Sequence, residues 1–385
     1  MLIKSDPSPL DKIALMGDVT SDEPAGDTPA SERKRGRYQS SSLEECISNV
    51  STPTGKKPIL KTMMTTACER NCYYCPFRAG RAKTRRVTLK PDDMAKAFDT
   101  LQRAGRVDGL FLSSGIIKGS VTTQDKILDT IDLVRGKYAY PGYVHLKLMP
   151  GAEEGQIARA LMLADRLSIN LEAPTAARLD ALAPKKDFNG ELLATLQTAH
   201  RLRQRMTGKR PSLVTQFVVG AVGDTDVELL SLSAKLYQTM RLSRIYYSGF
   251  NPVLETPLEN VGGVDPLREH RLYQASFLLR DYHWDVEDLV FGTSGNLDLT
   301  LDPKRAWAET HLRFTPIEIN RASREQLMRV PGIGAKGADA IVAARSKGRI
   351  TSLDDLRRIG ISGVDRTAEF ITLDGHAPER QLRLF

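Results

Sequence analysis

The sequence predicts an α/β protein, a half-open (βα)6 barrel followed by a small all-α module, and three observations carry that expectation. From Ile59 to about Arg280, short apolar strands alternate with longer amphipathic stretches, the pattern of repeated βα units on a parallel sheet. Three of the four cysteines, Cys68, Cys72 and Cys75, fall in one loop directly behind the first apolar run. Near the C-terminus, two pairs of short helical stretches are each broken by a Gly-rich turn.

Strands are expected at Ile59 to Thr65, Gly109 to Ser113, Tyr143 to Met149, Arg166 to Leu171, Ser212 to Val219 and Arg244 to Tyr247. Between and after them the pattern predicts helices over Pro91 to Ala104, Gln124 to Arg135, Glu153 to Ala164, Glu191 to Met206, Asp226 to Met240 and Pro266 to Arg280, with Pro91 suited to a first helical position. Units of this kind close right-handed and carry their chemistry on the loops after the strand C-termini. The cysteine loop therefore stands where a barrel places its reactive groups. The expected division is a tail over 1–54, the barrel over 55–300, and a linker with the helical module over 301–385.

With 385 residues, 41% hydrophobic and 26% charged, the composition suits one large and one small globular domain. No apolar stretch approaches the length of a membrane span. A formal charge of +8 points to a polyanionic partner. Residues 1–54 are rich in Ser, Pro, Asp and Glu, carry the basic cluster Glu32 to Arg37, and read as a largely disordered, solvated tail. Four cysteines in so long a chain do not make a disulfide framework, and the N-terminus lacks the apolar core of a signal peptide, so a reducing, cytoplasmic setting is expected.

Three thiolates in a compact loop ligate three irons of a cubane [4Fe-4S] cluster and leave the fourth iron open to another ligand. The competing readings are a structural zinc site, which needs four closed ligands, or a cluster completed by Cys46. The first has no fourth ligand nearby, since Cys46 lies upstream and His145 far downstream. The spacing Cys-x3-Cys-x2-Cys, with aromatic Tyr74 before the third cysteine, resembles the radical S-adenosylmethionine (SAM) superfamily. That resemblance implies a partial TIM-like barrel, a cluster held by Cys68, Cys72 and Cys75, and SAM chelated at the open iron. It also implies reductive cleavage of SAM to a 5′-deoxyadenosyl radical, with electrons from an external donor such as flavodoxin or ferredoxin.

Under the same resemblance the other strand ends, together with Tyr74, supply the cofactor site. Ser114 and Gly115 stand where the superfamily contacts the SAM amino group, here without the usual acidic member. Lys147, and Asn170 with Glu172, suit ribose hydroxyls and the methionine carboxylate, or else cap the barrel rim. Gly220, in Gly220-Ala221-Val222-Gly223, would let backbone approach the adenine. Tyr247 and Phe250 are either packing or a stacking surface for a substrate base. The run Arg78, Arg81, Lys83, Arg85, Arg86 is either a solvated loop or a phosphate contact, with Arg78 and Arg81 its first two candidates.

At the C-terminus a capping-box pattern, Ser323 with Gln326, opens a helix that breaks at Pro331-Gly332-Ile333-Gly334 and resumes as Lys336 to Arg345. This resembles a helix-hairpin-helix motif, in which Gly332, Ile333, Gly334 and Lys336 would meet a DNA phosphate without reading any base. A second unit, 352–371, has Ser362 where the first has Gly334. Between Asn320 and Arg358 there are nine Lys or Arg and four Asp or Glu, a net of +5.

Both halves together, with the segments Leu146 to Ala152, Asn170 to Pro174, Thr215 to Gly220 and Leu267 to Ala275, resemble one bacterial family over about residues 43–371. It is the family of radical SAM proteins of DNA modification or repair with a C-terminal helix-hairpin-helix region. The resemblance implies a DNA-directed radical SAM enzyme and a uracil-DNA-glycosylase-like protein partner. Two alternatives stay open: a DNA-tethered iron-sulfur protein that senses redox state or organises repair partners without turnover, and a radical SAM enzyme acting on a small molecule or protein.

Overall fold

The alternating apolar runs pair into one seven-stranded sheet in strict sequence order: β1 (Ile47–Thr52), β2 (Gly55–Met63), β3 (Gly109–Ser113), β4 (Tyr143–Lys147), β5 (Arg166–Ser168), β6 (Ser212–Val219) and β7 (Arg244–Gly249). Strands β2 to β7 are parallel. Each is followed by helical chain, so the sheet curls into the half-open barrel that six βα units predict. The computed structural model describes residues 7–17, 42–52 and 55–378. The chain divides into two compact units, one of residues up to Asp224 with Lys235–His270, the other of Thr225–Ala234 with residues from Arg271 onward.

The seventh strand corrects an expectation. β1 lies inside the segment read as a solvated tail, yet it pairs antiparallel with β2 from Ile47 opposite Leu60 to Thr52 opposite Gly55. Upstream, helix α1 (Pro9–Ala14) starts with a Ser8–Asp11 capping box. Ile13 and Met16 are fully buried, and the Cys46 thiol donates to the Ile13 carbonyl at 3.3 Å. Apolar residues too few to show a period therefore still anchor this stretch. The basic cluster Glu32 to Arg37 lies outside the described residues.

Helices α2 (Pro91–Arg103), α3 (Ser120–Asp132), α4 (Glu154–Leu163), α5 (Ala176–Leu182), α6 (Ala194–Arg205), α7 (Asp226–Met240) and α8 (Pro266–Asp281) follow the strands. In α2, Met94, Ala97, Phe98 and Leu101 form the buried stripe that helical spacing predicts. Phe98 meets Tyr140 edge-on at 4.9 Å between ring centroids. The short α5, capped by Thr175, has no sequence period long enough to betray it. Five-residue-wide turns at Leu133–Lys137 and Phe188–Leu193 displace the expected ends of α3 and α6. Among the described residues no helix is long and apolar enough to cross a membrane.

Side chains alternate across each strand. Tyr247, fully buried and 6.2 Å from the Phe217 ring, belongs to the packed core, so it is no stacking surface for a base. Along β4 the alternation places Tyr143, His145 and Lys147 on one side. His145 stacks on Phe111 at 4.3 Å, and burial first, then Arg166 and Lys147, hold it well below the usual histidine range and so neutral.

The C-terminal module adds α9 (Pro303–His311), α10 (Arg324–Arg329), α11 (Ala335–Arg345), α12 (Leu353–Arg358) and α13 (Val364–Thr367). It is not wholly helical as expected, because β8 (Ile317–Glu318) pairs in parallel with β9 (Ile371–Thr372). The Glu318 carboxylate ties this pair, accepting from the Thr372 hydroxyl at 2.9 Å and the Gly375 amide at 2.8 Å.

Lys304 on α9 donates to the Ile333 carbonyl at 2.5 Å and lies 5.0 Å from the Tyr282 ring centroid. Burial pushes its ammonium down to about 8. The unfolded chain, with an ordinary lysine pKa of about 10.4, then binds more protons than the folded one from about pH 8 to pH 10. The penalty is fully present below that window and relieved as pH rises through it, by at most ~1.4 kcal/mol per pH unit. Denaturant unfolding followed across this range should show stability climbing with pH in the wild type, and Lys304→Met should flatten the climb.

Candidate active site

The polypeptide between β2 and α2 has no regular secondary structure over the cysteines, so its shape comes from backbone ties to its neighbours. Glu69 N–H donates to the Ile116 carbonyl at 2.8 Å and Tyr73 N–H to the Leu182 carbonyl at 2.9 Å. Arg70 donates to the Lys185 carbonyl and pairs with Glu191 at 2.8 Å. The cysteine loop is thus held between the end of β3 on one side and the segment 182–191 on the other. Gly115 is the tightest point, where an added Cβ would overlap the Ala67 carbonyl oxygen.

Cys68, Cys72 and Cys75 all line one cavity of about 990 Å³ that opens at the C-terminal ends of the strands. Burial pushes the Cys72 and Cys75 thiols up, although Lys186 works against the shift at Cys72. Bound metal reverses that balance, since a coordinated thiol is deprotonated outright. Among the described residues no three His, Cys, Asp or Glu side chains are grouped to chelate a single metal ion. Sulfurs spread around a shared cavity suit three separate irons of a cubane. Cys68 Sγ also accepts a 3.5 Å contact from the Ile116 N–H, a charge-stabilising contact for a thiolate.

The same cavity wall carries Tyr74, Ser114, Gly115, Lys147, Asn170 and Glu172. Gly220 is absent from that wall; its φ of +83° makes a turn whose amide donates to Asp224, and an added Cβ would strike Val264. The glycine therefore has a packing role of its own in this turn. Glu172 sits in left-handed backbone at φ 66°, rare for a non-glycine residue. Its Oε1 accepts from Lys186 at 2.8 Å; Oε2 is buried with no hydrogen bond of normal geometry, and Tyr74 is its close neighbour. Burial would raise this carboxyl, but Lys186 and Lys147 hold it below the usual range. A buried acceptor with spare capacity and a polar wall of this size fit a ligand such as SAM.

Lys186 is the residue that sequence reading missed. It follows α5 in a Pro-Lys-Lys-Asp stretch that looks like a solvated loop, and no periodicity distinguishes it from Lys185. Asp265, in the loop before α8, and Glu269, in its first turn, also line the cavity and were missed. Phe250 lines the cavity as a candidate for contact with substrate.

The basic run beside the cysteines is largely committed to structure. Arg81 is buried and donates to the carbonyls of Leu254 at 2.8 Å and Pro76 at 3.2 Å, so it is not a phosphate contact. Arg86 donates to the carbonyls of Thr66, Phe77 and Arg78. Arg78 is half-buried over the Tyr73 ring at 5.9 Å. Lys83 pairs with Glu255 at 3.6 Å, and Arg85 stands exposed. Guanidinium groups close an irregular loop well because each can satisfy several carbonyls at once.

In the helix-hairpin-helix region the Ser323–Gln326 capping box forms as predicted. Gly332, at φ +88°, packs so tightly on the second hairpin that an added Cβ would lie 2.6 Å from the Gly363 carbonyl oxygen. Ile333 is fully buried and its amide already donates to Val330, which removes it as a phosphate contact. Gly334 caps α11, and Lys336 is exposed in its first turn. Of the nine local cations, Arg329 is bound by Asp288 at 2.7 Å between Trp284 and Trp307, and Arg345 donates to the carbonyls of Ile319 and Ala322. Arg324, Arg349, Arg357 and Arg358 pair with carboxylates. Among the described residues Arg321, Lys336 and Lys347 make no ion pair.

Residues 62–233 match the model of the Radical SAM superfamily, and residues 313–372 that of the helix-hairpin-helix motif. No curated protein matches in sequence. Among solved structures, the chain is similar to methylornithine synthase (PylB), 15% identical with a TM-score of 0.46 over 57% of this chain and 60% of that one. It is also similar to the FeFe-hydrogenase maturase HydG from Carboxydothermus hydrogenoformans, 14% identical, TM-score 0.46, over 57% of this chain and 50% of that one. A radical SAM methyltransferase from Sphaerobacter thermophilus is 14% identical, TM-score 0.45, over 60% of this chain and 66% of that one. The chain spans about half to two thirds of the length of these structures.

The Gly115 contact generates a direct test of the loop geometry. Anaerobically reconstituted wild-type protein should carry about four irons per chain, and so should Cys46→Ala, whose thiol lies under α1. Gly115→Ala should lose most of that iron while keeping its far-ultraviolet circular dichroism, because the added methyl displaces Ala67 beside Cys68. Full iron loading in Gly115→Ala would contradict the tie.

Proposed function

On the premise that this chain is a radical SAM enzyme carrying a helix-hairpin-helix motif, we propose that it acts on DNA, with Cys68, Cys72 and Cys75 holding the [4Fe-4S] cluster and Ser114, Lys147 and Asn170 among the groups that hold SAM. When bound, this pair supplies a 5′-deoxyadenosyl radical that abstracts hydrogen from the substrate. The single observation behind a DNA substrate is the helix-hairpin-helix motif on the same chain as the radical SAM domain.

The cavity wall formed by the chain after β7 supports the reading from a second side. From Ser248 to Val253 and from Gly263 to Glu269 it presents Ser248, Phe250, Asn251 and two carboxylates, with no Lys or Arg. Such a wall offers phosphate no cation and suits a neutral, hydrogen-bonding ring. A base that enters would be flipped out or single-stranded, since a duplex stack shields its atoms at a cost of roughly a few kcal/mol. The wall also keeps water from the reacting centre, with Phe250 and Val253 as its apolar surface. A DNA anchor on the same chain raises the local concentration of such bases at the cavity. An external flavodoxin- or ferredoxin-type donor and a uracil-DNA-glycosylase-like partner, both implied by the family resemblance, fit the same reading.

The anchor itself rests on few free charges. Arg321, Lys336 and Lys347, with the Gly334 amide at the start of α11, give three cations for phosphate. Each neutralised phosphate contributes about −0.9 to the log-log salt slope, so binding to duplex or single strands should show a slope near about −3. Lys336→Glu with Lys347→Glu should weaken binding at least tenfold regardless of sequence. Unchanged affinity in that double variant would remove the motif as the anchor.

A further inference from the structure

Lys186 reaches the cysteine cavity from the segment that clamps the cysteine loop. Three ties fix that segment: Tyr73 N–H to the Leu182 carbonyl, Arg70 to the Lys185 carbonyl, and Arg70 to Glu191 at 2.8 Å. The Lys186 side chain is 9% exposed and that of its partner Glu172 is 5% exposed, at 2.8 Å. Both line the cavity with Cys72 and Cys75. A lysine so buried keeps its charge where an anion faces it, and the Glu172 carboxylate at 2.8 Å is that anion.

We propose that Lys186 is a positioning residue for the cluster's electron: its buried cation beside Cys72 and Cys75 raises the reduction potential, and Glu172 holds it there while offsetting part of its field. The inference rests on the reading that the three cysteines hold a cluster, but on no assumption about substrate. Reduction adds one electron to a centre already bearing thiolate charge, and a fixed cation within the same low-dielectric cavity favours the reduced form. Of the cavity's other cations, Arg70 is paired with Glu191 on the rim of the clamp and Lys147 stands at the end of β4, whereas Lys186 lies in the segment tied to the cysteine loop. Because Glu172 sits in left-handed backbone, the chain behind β5 is shaped to bring its carboxylate into the cavity, where it pairs with Lys186.

The test is a potentiometric titration of the reconstituted full-length protein without SAM or DNA, followed by the electron paramagnetic resonance signal of the reduced cluster. Glu172→Gln should raise the midpoint, since it removes the offsetting charge and leaves the cation. Lys186→Met should lower it, and Lys186→Arg should leave it close to the wild type. Removing one partner of a buried pair is destabilising, so the double variant Lys186→Met with Glu172→Gln provides a well-folded comparison. Its midpoint should lie below that of Glu172→Gln alone. If the midpoints of the single and double variants coincide with the wild type, or if the double lies above Glu172→Gln, the proposal is wrong even when iron loading and DNA binding are intact. Failure of DNA binding alone leaves it standing.

Discussion

The close approach of Gly115 to the Ala67 carbonyl is the constraint on which the rest of the site depends. An irregular loop of thiols cannot hold itself, because it has neither a helix ladder nor a sheet ladder to satisfy its backbone. Here the end of β3 presses on the residue before Cys68, while Leu182 and Lys185 take donors from the other side of the loop. One face of this vice is the end of β3 and the other is the segment at and behind the end of α5. The barrel therefore works less as a container than as a jig that sets three sulfurs around one space.

Charge follows from that arrangement. Guanidinium groups flanking the cysteines are spent on carbonyls of the loop, as Arg81 on Leu254 and Pro76 and Arg86 on Thr66 and Phe77 show. Inside the cavity remain a buried ion pair, Lys186 with Glu172, the cations Arg70 and Lys147, and the carboxylates of Asp265 and Glu269 on the wall formed after β7. That last wall offers phosphate no cation. The helix-hairpin-helix region also carries cations free to meet a polyanion, among them Lys336, exposed at the start of α11. Positioning of a polymer and chemistry on one of its rings would thus use separate parts of the chain.

Much of this was legible in the sequence. The strand and helix order came from periodicity, because buried parallel strands read as continuous apolar runs and α2 shows its stripe plainly. The three cysteines stood out by their spacing, Ser114 by the family resemblance, and Lys147, Asn170 and Glu172 as polar groups among apolar neighbours, and the fold brings all of them to one cavity. Lys186 and the fate of Arg81 were not legible, since their roles depend on which carbonyls and carboxylates the fold brings near, and a charged residue in a loop carries no period. Gly220 and Gly332 show the same limit. A glycine signals freedom of backbone, but only the fold tells whether the freedom admits a ligand or, as with Val264 and Gly363 here, another part of the chain. β1 escaped because an edge strand preceded by polar chain has too few apolar positions to mark it.

The most direct measurement of the central claim follows hydrogen from substrate to cofactor. Reduced, reconstituted protein is given SAM with DNA deuterated at carbon positions, single-stranded and duplex, and the 5′-deoxyadenosine formed is analysed by mass. The account predicts deuterium in that product, more from single strands than from duplex, and none in Cys72→Ala. Vigorous formation of unlabelled 5′-deoxyadenosine with every DNA supplied would contradict it and move the substrate to another class of molecule.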